Sequence, residues 1–301
     1  MFSKKLLIPL LSLSLLVTPA YSSHAAENTE AVETSVEGQG MLSPSSSSEN
    51  SESVFNGSGA GTSSEPVTDE KLETILKQVQ SQLPAENGTW AVFISDLVND
   101  QKMQAASLIK LYIMGAVYEN YDQITGQYGR DSVDSNLYSM ITVSDNDAAN
   151  TLTTYLGGGD SAAGMQAVNS FCQAHGYDQT HMGRMLLASN ENDDNYTSVG
   201  DCGHLLQEIY KQDTSGYTHA ADMFNLLKAQ TRCNKIPAQL PEGVKTANKT
   251  GELDNVENDA GIIYDSKNDV VIVFMSQNLS SAGSAQNTIA TLSRTIYDYY
   301  N

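Results

Sequence analysis

Positive charge is scarce in this chain. Of its 301 residues, 16 are Lys or Arg and 36 are Asp or Glu, which gives a formal net charge of −20 at pH 7. Nucleic acids and anionic membrane surfaces attract basic proteins, so this balance argues against both as partners.

Histidine and cysteine are also few. The five histidines are scattered, and no His/Cys spacing resembles a zinc site, so we predict no metal and no cofactor. The three cysteines, Cys172, Cys202 and Cys233, are an odd set. One prediction is a Cys202–Cys233 disulfide with one free thiol, because both residues flank predicted helices; the alternative is three buried free thiols.

Long hydrophobic runs are missing as well. The apolar stretch Leu6–Val17 is short for a membrane span and is interrupted by Pro9. It follows Lys4 and Lys5 and precedes the small-x-small stretch Ser23–Ala25, which is the pattern of a secretory signal over residues 1–25. No cysteine follows the run as a lipid acceptor. We therefore predict a secreted protein on the envelope side of the cell, without stable membrane insertion after signal removal.

Residues 26–66 are rich in Ser, Glu and Gly, and include the run Ser43–Ser48. Such a segment has too little apolar surface to offset the entropy of ordering it, so we predict a disordered acidic linker. The remainder, 67–301, is long enough for one domain with a substantial core. We expect this domain to be a monomer.

Hydrophobic periodicity in 67–301 predicts an α+β fold. A helix, a buried strand, a loop, a mainly helical block to about residue 235, three strands and a final helix follow in order. An antiparallel sheet would be flanked by the N- and C-terminal helices, with the helical block as an inserted lobe. A cleft between lobe and sheet is the natural place for a site. The predicted elements are helix Asp69–Leu83, strand Trp90–Leu97, loop Val98–Gln101, strands Val244–Lys249, Ala260–Tyr264 and Asp269–Gln277, and helix Ala285–Tyr299.

The first candidate for chemistry is the pair Ser107 and Lys110. Their apolar flanks favour a helix, which puts the two side chains one turn apart on the same face. A serine hydroxyl needs a nearby base to act as a nucleophile, and a lysine can be that base if burial or neighbouring cations lower its pKa. Alone the pair is weak evidence, because a helix N-terminus with an exposed lysine has the same pattern.

Two further motifs follow, Ser144-Asp145-Asn146 and Lys249-Thr250-Gly251, the second at the end of a predicted strand. Taken singly, they are compatible with a helix N-cap and with ordinary exposed strand residues. Ser-x-x-Lys, Ser-Asp-Asn and Lys-Thr-Gly in this order are the motif set of class A β-lactamases and penicillin-binding proteins. Over nearly all of 67–301 the sequence resembles the class A serine β-lactamase family, which implies the serine β-lactamase-like fold.

The residue chemistry suggests catalytic roles for four side chains. Ser107 would attack an activated amide carbonyl, and Lys110 would take its proton. Ser144 would relay a proton to the departing nitrogen. Lys249 would help to keep Lys110 partly neutral, as a neighbouring cation.

Four residues are predicted to bind substrate. Asn146 would orient Lys110 and contact a substrate amide. The Thr250 hydroxyl, together with the Lys249 charge, suits a substrate carboxylate. Gly251 would let the substrate backbone lie close to the strand edge. The resemblance further implies that the backbone N–H groups of Ser107 and Glu252 form an oxyanion hole.

The resemblance fails at one position. Class A enzymes carry an Arg-x-Glu-x-x-Leu-Asn pattern in an Ω-loop, and its glutamate activates water for deacylation. Here Arg184 and Asn190 match, but Leu186 stands at the glutamate position, and the loop is shortened. Leucine cannot activate water. Three nearby carboxylates are interpreted instead as a solvated acidic loop, namely Glu191, Asp193 and Asp194.

These observations predict a secreted active-site-serine hydrolase of the β-lactamase type, acting on cyclic amides. It would form an acyl-enzyme at Ser107 with a small-molecule β-lactam or a related acyl-peptide amide, and would deacylate weakly. One alternative is a D,D-peptidase-like enzyme that acts on cell-wall peptides. Another is a non-catalytic module that binds wall peptide or a partner. Asp145 and Asn150 are predicted to be structural, through bonds from their side chains to the backbone.

Overall fold

An antiparallel sheet with helices on both faces organises the part of the chain that this computed structural model describes, residues 69–95, 97–211 and 217–301. The predicted signal and linker, 1–66, lie outside the described residues. The α+β class and the inserted helical lobe are confirmed. No helix among the described residues is both long and apolar enough to cross a membrane.

The main sheet has five strands in the order β2-β1-β7-β6-β5, and all of its pairings are antiparallel. A separate two-stranded sheet joins β3 and β4. The strands are β1 Thr89–Ile94, β2 Leu97–Asn99, β3 Met103–Gln104, β4 Tyr196–Thr197, β5 Lys245–Leu253, β6 Val256–Tyr264 and β7 Val270–Gln277. The α-helices are α1 Asp69–Gln82, α2 Ile109–Glu119, α3 Tyr121–Tyr128, α4 Arg130–Thr142, α5 Asn146–Leu156, α6 Ser161–Ala174, α7 Val199–Lys211, α8 Ala220–Lys228 and α9 Ala282–Tyr300.

Strand β7 explains why the fold has three layers. Its residues from 270 to 275 form an unbroken apolar run, as expected for a strand that is buried on both faces. Val271 and Val273 face the core shared with the helical lobe, whereas Ile272 and Phe274 face the core shared with the terminal helices. The sheet therefore needs a helical layer on each side. Helices α1 and α9 supply one layer, and the lobe between β1 and β5 supplies the other.

The short strands β3 and β4 were not predicted, and the strands of the main sheet differ from the prediction in two places. The chain turns at Ser95, which has φ of 56°, and returns as β2, so the predicted loop Val98–Gln101 begins inside a strand. Strands β5 and β6 pair over nine residues, which places Lys249-Thr250-Gly251 within β5 and not at its end. Polar strand residues are accommodated because they bond to each other, as Asn248 Nδ2 does in donating to Asp259 Oδ1 at 2.9 Å.

The predicted Cys202–Cys233 disulfide is wrong. All three cysteines lie within the described ranges and all are free thiols. Cys202 is fully buried in α7, where its sulfur accepts from the Tyr112 hydroxyl at 3.4 Å, whereas Cys233 is exposed on the loop after α8. The alternative of three buried thiols is therefore also wrong for Cys233, since burial applies only to Cys172 and Cys202.

Candidate active site

A short turn before α2 positions Ser107, the predicted nucleophile. Residues Ala106–Leu108 form a 3₁₀ turn that leads directly into α2, a helix that is buried almost along its whole length. Ala106 has φ of 48°, a left-handed conformation that is costly for a residue with a side chain. Ser107 is half-buried, and Lys110, one turn later, is fully buried with its Nζ 3.1 Å from Ser107 Oγ. The predicted proximity of these side chains is confirmed.

Strand β5 lies directly against this turn. A Cβ atom added to Gly251 would lie 3.0 Å from the Ala105 carbonyl oxygen and 3.2 Å from the Ser107 nitrogen. A side chain at 251 would therefore fit only after a small shift of the strand or of the turn that carries Ser107. Asn258 on β6 holds the segment before the turn, because its Nδ2 donates to the Gln104 carbonyl at 2.9 Å and to the Ala105 carbonyl at 3.2 Å.

The Ser144 motif lies between α4 and α5. Ser144 has φ of 62°, the second left-handed non-glycine residue beside the site. The Lys110 Nζ donates to the Ser144 carbonyl and to Asn146 Oδ1, both at 2.7 Å, and to Ser144 Oγ at 3.1 Å. Asp145 accepts from the Ala148 N–H at 2.8 Å and caps α5, so its structural role is confirmed.

Lys249 approaches the same hydroxyl from the other side. Its Nζ donates to Ser144 Oγ at 2.9 Å and to the Thr250 carbonyl at 2.7 Å, and its side chain is fully buried. The four residues predicted to be catalytic therefore form one hydrogen-bonded chain. It runs from Ser107 to Lys110, then to Ser144, and ends at Lys249.

Burial and positive charge depress the pKa of both lysines. Burial and, to a smaller extent, the charge of Arg232 lower the pKa of Lys110 to about 8, while the charge of Asp145 opposes them. Burial and then the charge of Lys110 hold the pKa of Lys249 well below its ordinary value. We expected Lys249 to be the cation that acts on Lys110, but Arg232 has the largest charge effect there. A neutral Lys110 is thus accessible near neutral pH.

Arg232 is the functional candidate that the sequence analysis missed. Its Nη1 donates to Glu252 Oε2 at 2.8 Å, and the buried Lys235 donates to Glu252 Oε1 at 3.0 Å. Glu252 was predicted to contribute through its backbone, not through its side chain. Arg232 belongs to no motif, and the one available signal was the scarcity of basic residues, which makes each Arg a candidate for charge pairing.

The opposite wall of the site comes from the loop between His181 and Tyr196, whose ends pair with each other. Asn150 on α5 accepts from the Leu186 N–H at 2.9 Å and donates to the Leu186 carbonyl at 3.0 Å. The predicted structural role of Asn150 is confirmed. Both backbone groups of Leu186 are thereby held by one side chain, and the Leu186 side chain is 8% exposed.

The acidic residues of this loop do not all match their interpretation as a solvated loop. Asp194 is 4% exposed, and Arg184 Nε donates to its Oδ1 at 2.7 Å while Gln104 Nε2 donates to its Oδ2 at 3.0 Å. The interpretation is wrong for Asp194, because two donors offset the cost of burying it. Asp193 and Glu191 are exposed, as predicted. Asp193 pairs with His181 at 2.7 Å.

A cleft of about 220 Å³ lies between the two walls. Among the described residues that line it, Glu252 is the only carboxylate. A larger hollow of about 520 Å³ lies on the helical lobe around Tyr118 and His219, away from the hydrogen-bonded chain of Ser107, so size alone does not identify the site. The cleft residues are Ala106, Ser107, Asn146, Arg184, Leu186, Leu187, Ala188, Glu252 and Leu253.

Comparison with known proteins places this geometry in context. A family model described as the beta-lactamase enzyme family matches residues 127–300, a span that begins after Ser107 and Lys110. No curated protein matches the chain.

Solved structures match over most of the chain. A beta-lactamase from Sphaerobacter thermophilus has a TM-score of 0.64 at 21% identity, covering 76% of this chain and 97% of that one. The protein PBP-A has a TM-score of 0.66 at 22% identity, covering 76% and 96%. A leucine-to-glutamate mutant of PBP-A, described as an acyl-enzyme complex with penicillin G, has a TM-score of 0.65 at 22% identity, covering 76% and 97%. At these identities the likeness shows a shared fold.

Proposed function

Because the chain belongs to the beta-lactamase enzyme family, we propose that it is a serine hydrolase that forms an acyl-enzyme at Ser107 with β-lactams or related acyl-peptide amides. The observation that carries the proposal is the hydrogen-bonded chain from Ser107 through Lys110 and Ser144 to Lys249. A domain that only binds a ligand has no need of two buried lysines around one hydroxyl, since each charge costs free energy to bury.

The partners of Lys110 favour its action as a base. Two of them, the Ser144 carbonyl and Asn146 Oδ1, can only accept, and each is 2.7 Å from Nζ. A neutral amine has two N–H groups for these acceptors and one lone pair. That lone pair can take the proton of Ser107 Oγ, 3.1 Å away, as the hydroxyl attacks the amide carbonyl.

The second proton transfer uses Ser144. Its hydroxyl lies 3.1 Å from Lys110 Nζ and 2.9 Å from Lys249 Nζ. The proton gained by Lys110 can pass to Ser144 Oγ while the Ser144 proton passes to the departing amide nitrogen. The C–N bond then breaks, and the acyl group stays on Ser107 Oγ. Lys249 Nζ, which donates to Ser144 Oγ, stabilises the oxyanion-like Ser144 oxygen during this relay.

Slow deacylation is the second part of the proposal. Hydrolysis of the ester needs a base that positions water. Leu186 occupies the loop wall, and Glu252, the carboxylate among the described lining residues, is on the opposite wall with both oxygens paired to cations. The acyl-enzyme complex of the leucine-to-glutamate mutant of PBP-A with penicillin G supports the choice of penicillin G as the probe.

Intact-protein mass spectrometry tests the proposal. The purified chain is mixed with penicillin G and sampled from seconds to hours, beside Ser107→Ala and the exposed control Ser135→Ala. We expect a lasting mass increase equal to one penicillin in the wild type and in Ser135→Ala, and none in Ser107→Ala. A short-lived adduct with accumulating hydrolysed penicillin would refute slow deacylation.

Absence of an adduct at all times would refute acylation by penicillins. The remaining alternatives would then be a D,D-peptidase-like enzyme or a binding module. Release of the terminal residue from a D,D-dipeptide substrate, lost in Ser107→Ala, would identify the peptidase. Peptide binding that survives Ser107→Ala would identify the binding module.

Secretion and a monomeric state also belong to the proposal. The features of residues 1–25 support secretion, and the mass of the protein recovered outside producing cells would test it, since removal of that segment leaves a new N-terminus. Light scattering of the purified chain would test the monomer.

A further inference from the structure

The turn that positions Ser107 is supported from strand β6. Asn258 is fully buried, and its Nδ2 donates to the Gln104 carbonyl at 2.9 Å and to the Ala105 carbonyl at 3.2 Å. Its Oδ1 accepts from the Ser276 N–H on β7 at 3.1 Å. Only one orientation of the amide suits two carbonyls and one N–H, so these three bonds define how the Asn258 side chain lies.

The position of Asn258 in the sheet explains why it reaches the turn. Asn258 lies directly opposite Gly251 in the β5–β6 register, and opposite residues of an antiparallel pair project from the same face. Gly251 has no side chain to fill that face, and a Cβ atom there would lie 3.0 Å from the Ala105 carbonyl oxygen. The Ala105 carbonyl can therefore lie beside β5, where the longer Asn258 side chain bonds to it.

The bonded carbonyl belongs to the residue before Ala106. Ala106 has φ of 48°, a conformation that is costly for a residue with a side chain and that persists only where neighbouring contacts fix it. This φ angle is the rotation about the N–Cα bond of Ala106, and the plane of the preceding peptide fixes one end of it. The carbonyl of that peptide accepts from Asn258 and, at 3.0 Å, from the Leu108 N–H. Of these two donors, Asn258 is the one that a substitution can remove without changing the backbone.

We propose that Asn258 is a positioning residue for the nucleophile. It holds the peptide before Ala106 so that Ala106 stays left-handed, and it thereby keeps Ser107 Oγ 3.1 Å from Lys110 Nζ. The amide acts through the turn and not on the substrate. The inference rests on the proposed acyl-enzyme chemistry, in which a displacement of about 1 Å between reacting groups can cost about a hundredfold in rate.

A pair of buried asparagines gives the first test. Asn258 and Asn87 each make three hydrogen bonds to backbone groups, and those of Asn87 go to Ser280 and Ser281, just before α9. The maximal acylation rate constant and the apparent dissociation constant for penicillin G are measured in Asn258→Ala and Asn87→Ala, at a temperature where both are folded. We expect the maximal rate constant to fall about a hundredfold in Asn258→Ala, with little change in the dissociation constant. Asn87→Ala should lose stability but keep both constants.

The substitution Ala106→Gly gives a second test, which a loss of stability cannot imitate. Glycine adopts a positive φ at no steric cost, so the turn depends less on being held. In the Asn258→Ala background we expect Ala106→Gly to raise the maximal acylation rate constant about tenfold, and in the wild-type background to change it less, which is the coupling between the two positions. Equal effects of Ala106→Gly in both backgrounds would overturn the inference.

The remaining outcomes separate the inference from the proposed function. Wild-type acylation in Asn258→Ala, or an equal loss in Asn87→Ala, would overturn the inference and leave the proposed function intact. If thermal unfolding shows that Asn258→Ala does not fold, Asn258→Ser takes its place with the same expected loss, because a hydroxyl has one donor for the two carbonyls. If penicillin G does not acylate the wild type, the proposed function fails and the inference fails with it.

Discussion

The two walls of the cleft differ in what their polar side chains bind: those on one wall bind each other, whereas on the other wall a side chain binds the backbone. On the wall around Ser107, the buried side chains of Lys110 and Lys249 converge on the hydroxyl of Ser144, and Ser107 itself lines the cleft. On the loop wall, the Asn150 side chain hydrogen-bonds to the backbone of Leu186, and the apolar residue Leu186 lines the cleft.

Hydrogen bonds fix both walls, so the walls differ in the chemical groups that they present to the cleft. Leu186 has its N–H and its carbonyl bonded at 2.9 and 3.0 Å, distances close to those around Lys110. Formation and hydrolysis of an acyl-enzyme depend on different groups. If the proposed function holds, the wall that carries Ser107 determines acylation and the wall that carries Leu186 determines deacylation, so substitutions on each wall should affect different rate constants.

Removal of the base should have the largest effect. Lys110→Ala leaves the Ser107 hydroxyl without its proton acceptor, and we expect the acylation rate to fall by about a thousandfold or more. Time-resolved mass spectrometry with penicillin G measures it. The exposed lysine variant Lys77→Ala is the control and should acylate as the wild type does. Near-normal acylation in Lys110→Ala would show that another group is the base.

A carboxylate at position 186, on the loop wall, should speed the hydrolysis of the acyl-enzyme. Leu186→Glu puts a potential base beside the ester, and we expect the deacylation rate to rise by about a hundredfold with little change in acylation. Leu186→Gln matches the size without the basicity and should remain slow. The lifetime of the penicillin adduct measures both. Equal lifetimes in the Glu and Gln variants would contradict the assignment of this wall to deacylation.

Loss of the hydrogen bonds between the Asn150 side chain and the Leu186 backbone, which we call the clamp, should affect stability more than acylation. Asn150→Ala removes two hydrogen bonds to the Leu186 backbone, and we expect the free energy of unfolding to fall by about 2 kcal/mol. Urea unfolding measures it. Asn136→Ala, which loses one bond within α4, is the control and should cost less. If both variants unfold at the same urea concentration, the clamp contributes little.

The smallest expected effect is that of pH on the acylation rate. Only neutral Lys110 can accept the proton, and its pKa is lowered to about 8, so its neutral fraction rises with pH. The acylation rate should therefore increase about tenfold between pH 7 and pH 9 and then level off. Rates that fall over this range would mean that the protonated lysine is the active form.

The pairing of Ser107 with Lys110 could be predicted from the sequence, because the two residues are close together along the chain. The i to i+3 separation of Ser107 and Lys110 on an apolar helix brings the side chains together wherever that helix packs. The absence of a carboxylate at Leu186 is likewise a property of the residue itself. Local periodicity also predicted the order of the longer helices and strands, but not the short strands β2, β3 and β4 or the ends of β5.

Other features of the site depend on distant contacts. Arg232 and Glu252 meet only because the loop after α8 lies beside β5, and Asp194 can be buried only because Arg184 and Gln104 surround it. Two cysteines in reach of predicted helices do not pair, since one is in the core and the other on the surface.

The sequence by itself determined which groups are available for chemistry: a serine, two lysines and a leucine where a base could stand. Only the tertiary structure decided their charge states and partners. The reason is physical, since the pKa of Lys110 and of Lys249 depends on burial and on charges brought near by folding, and no local pattern encodes either.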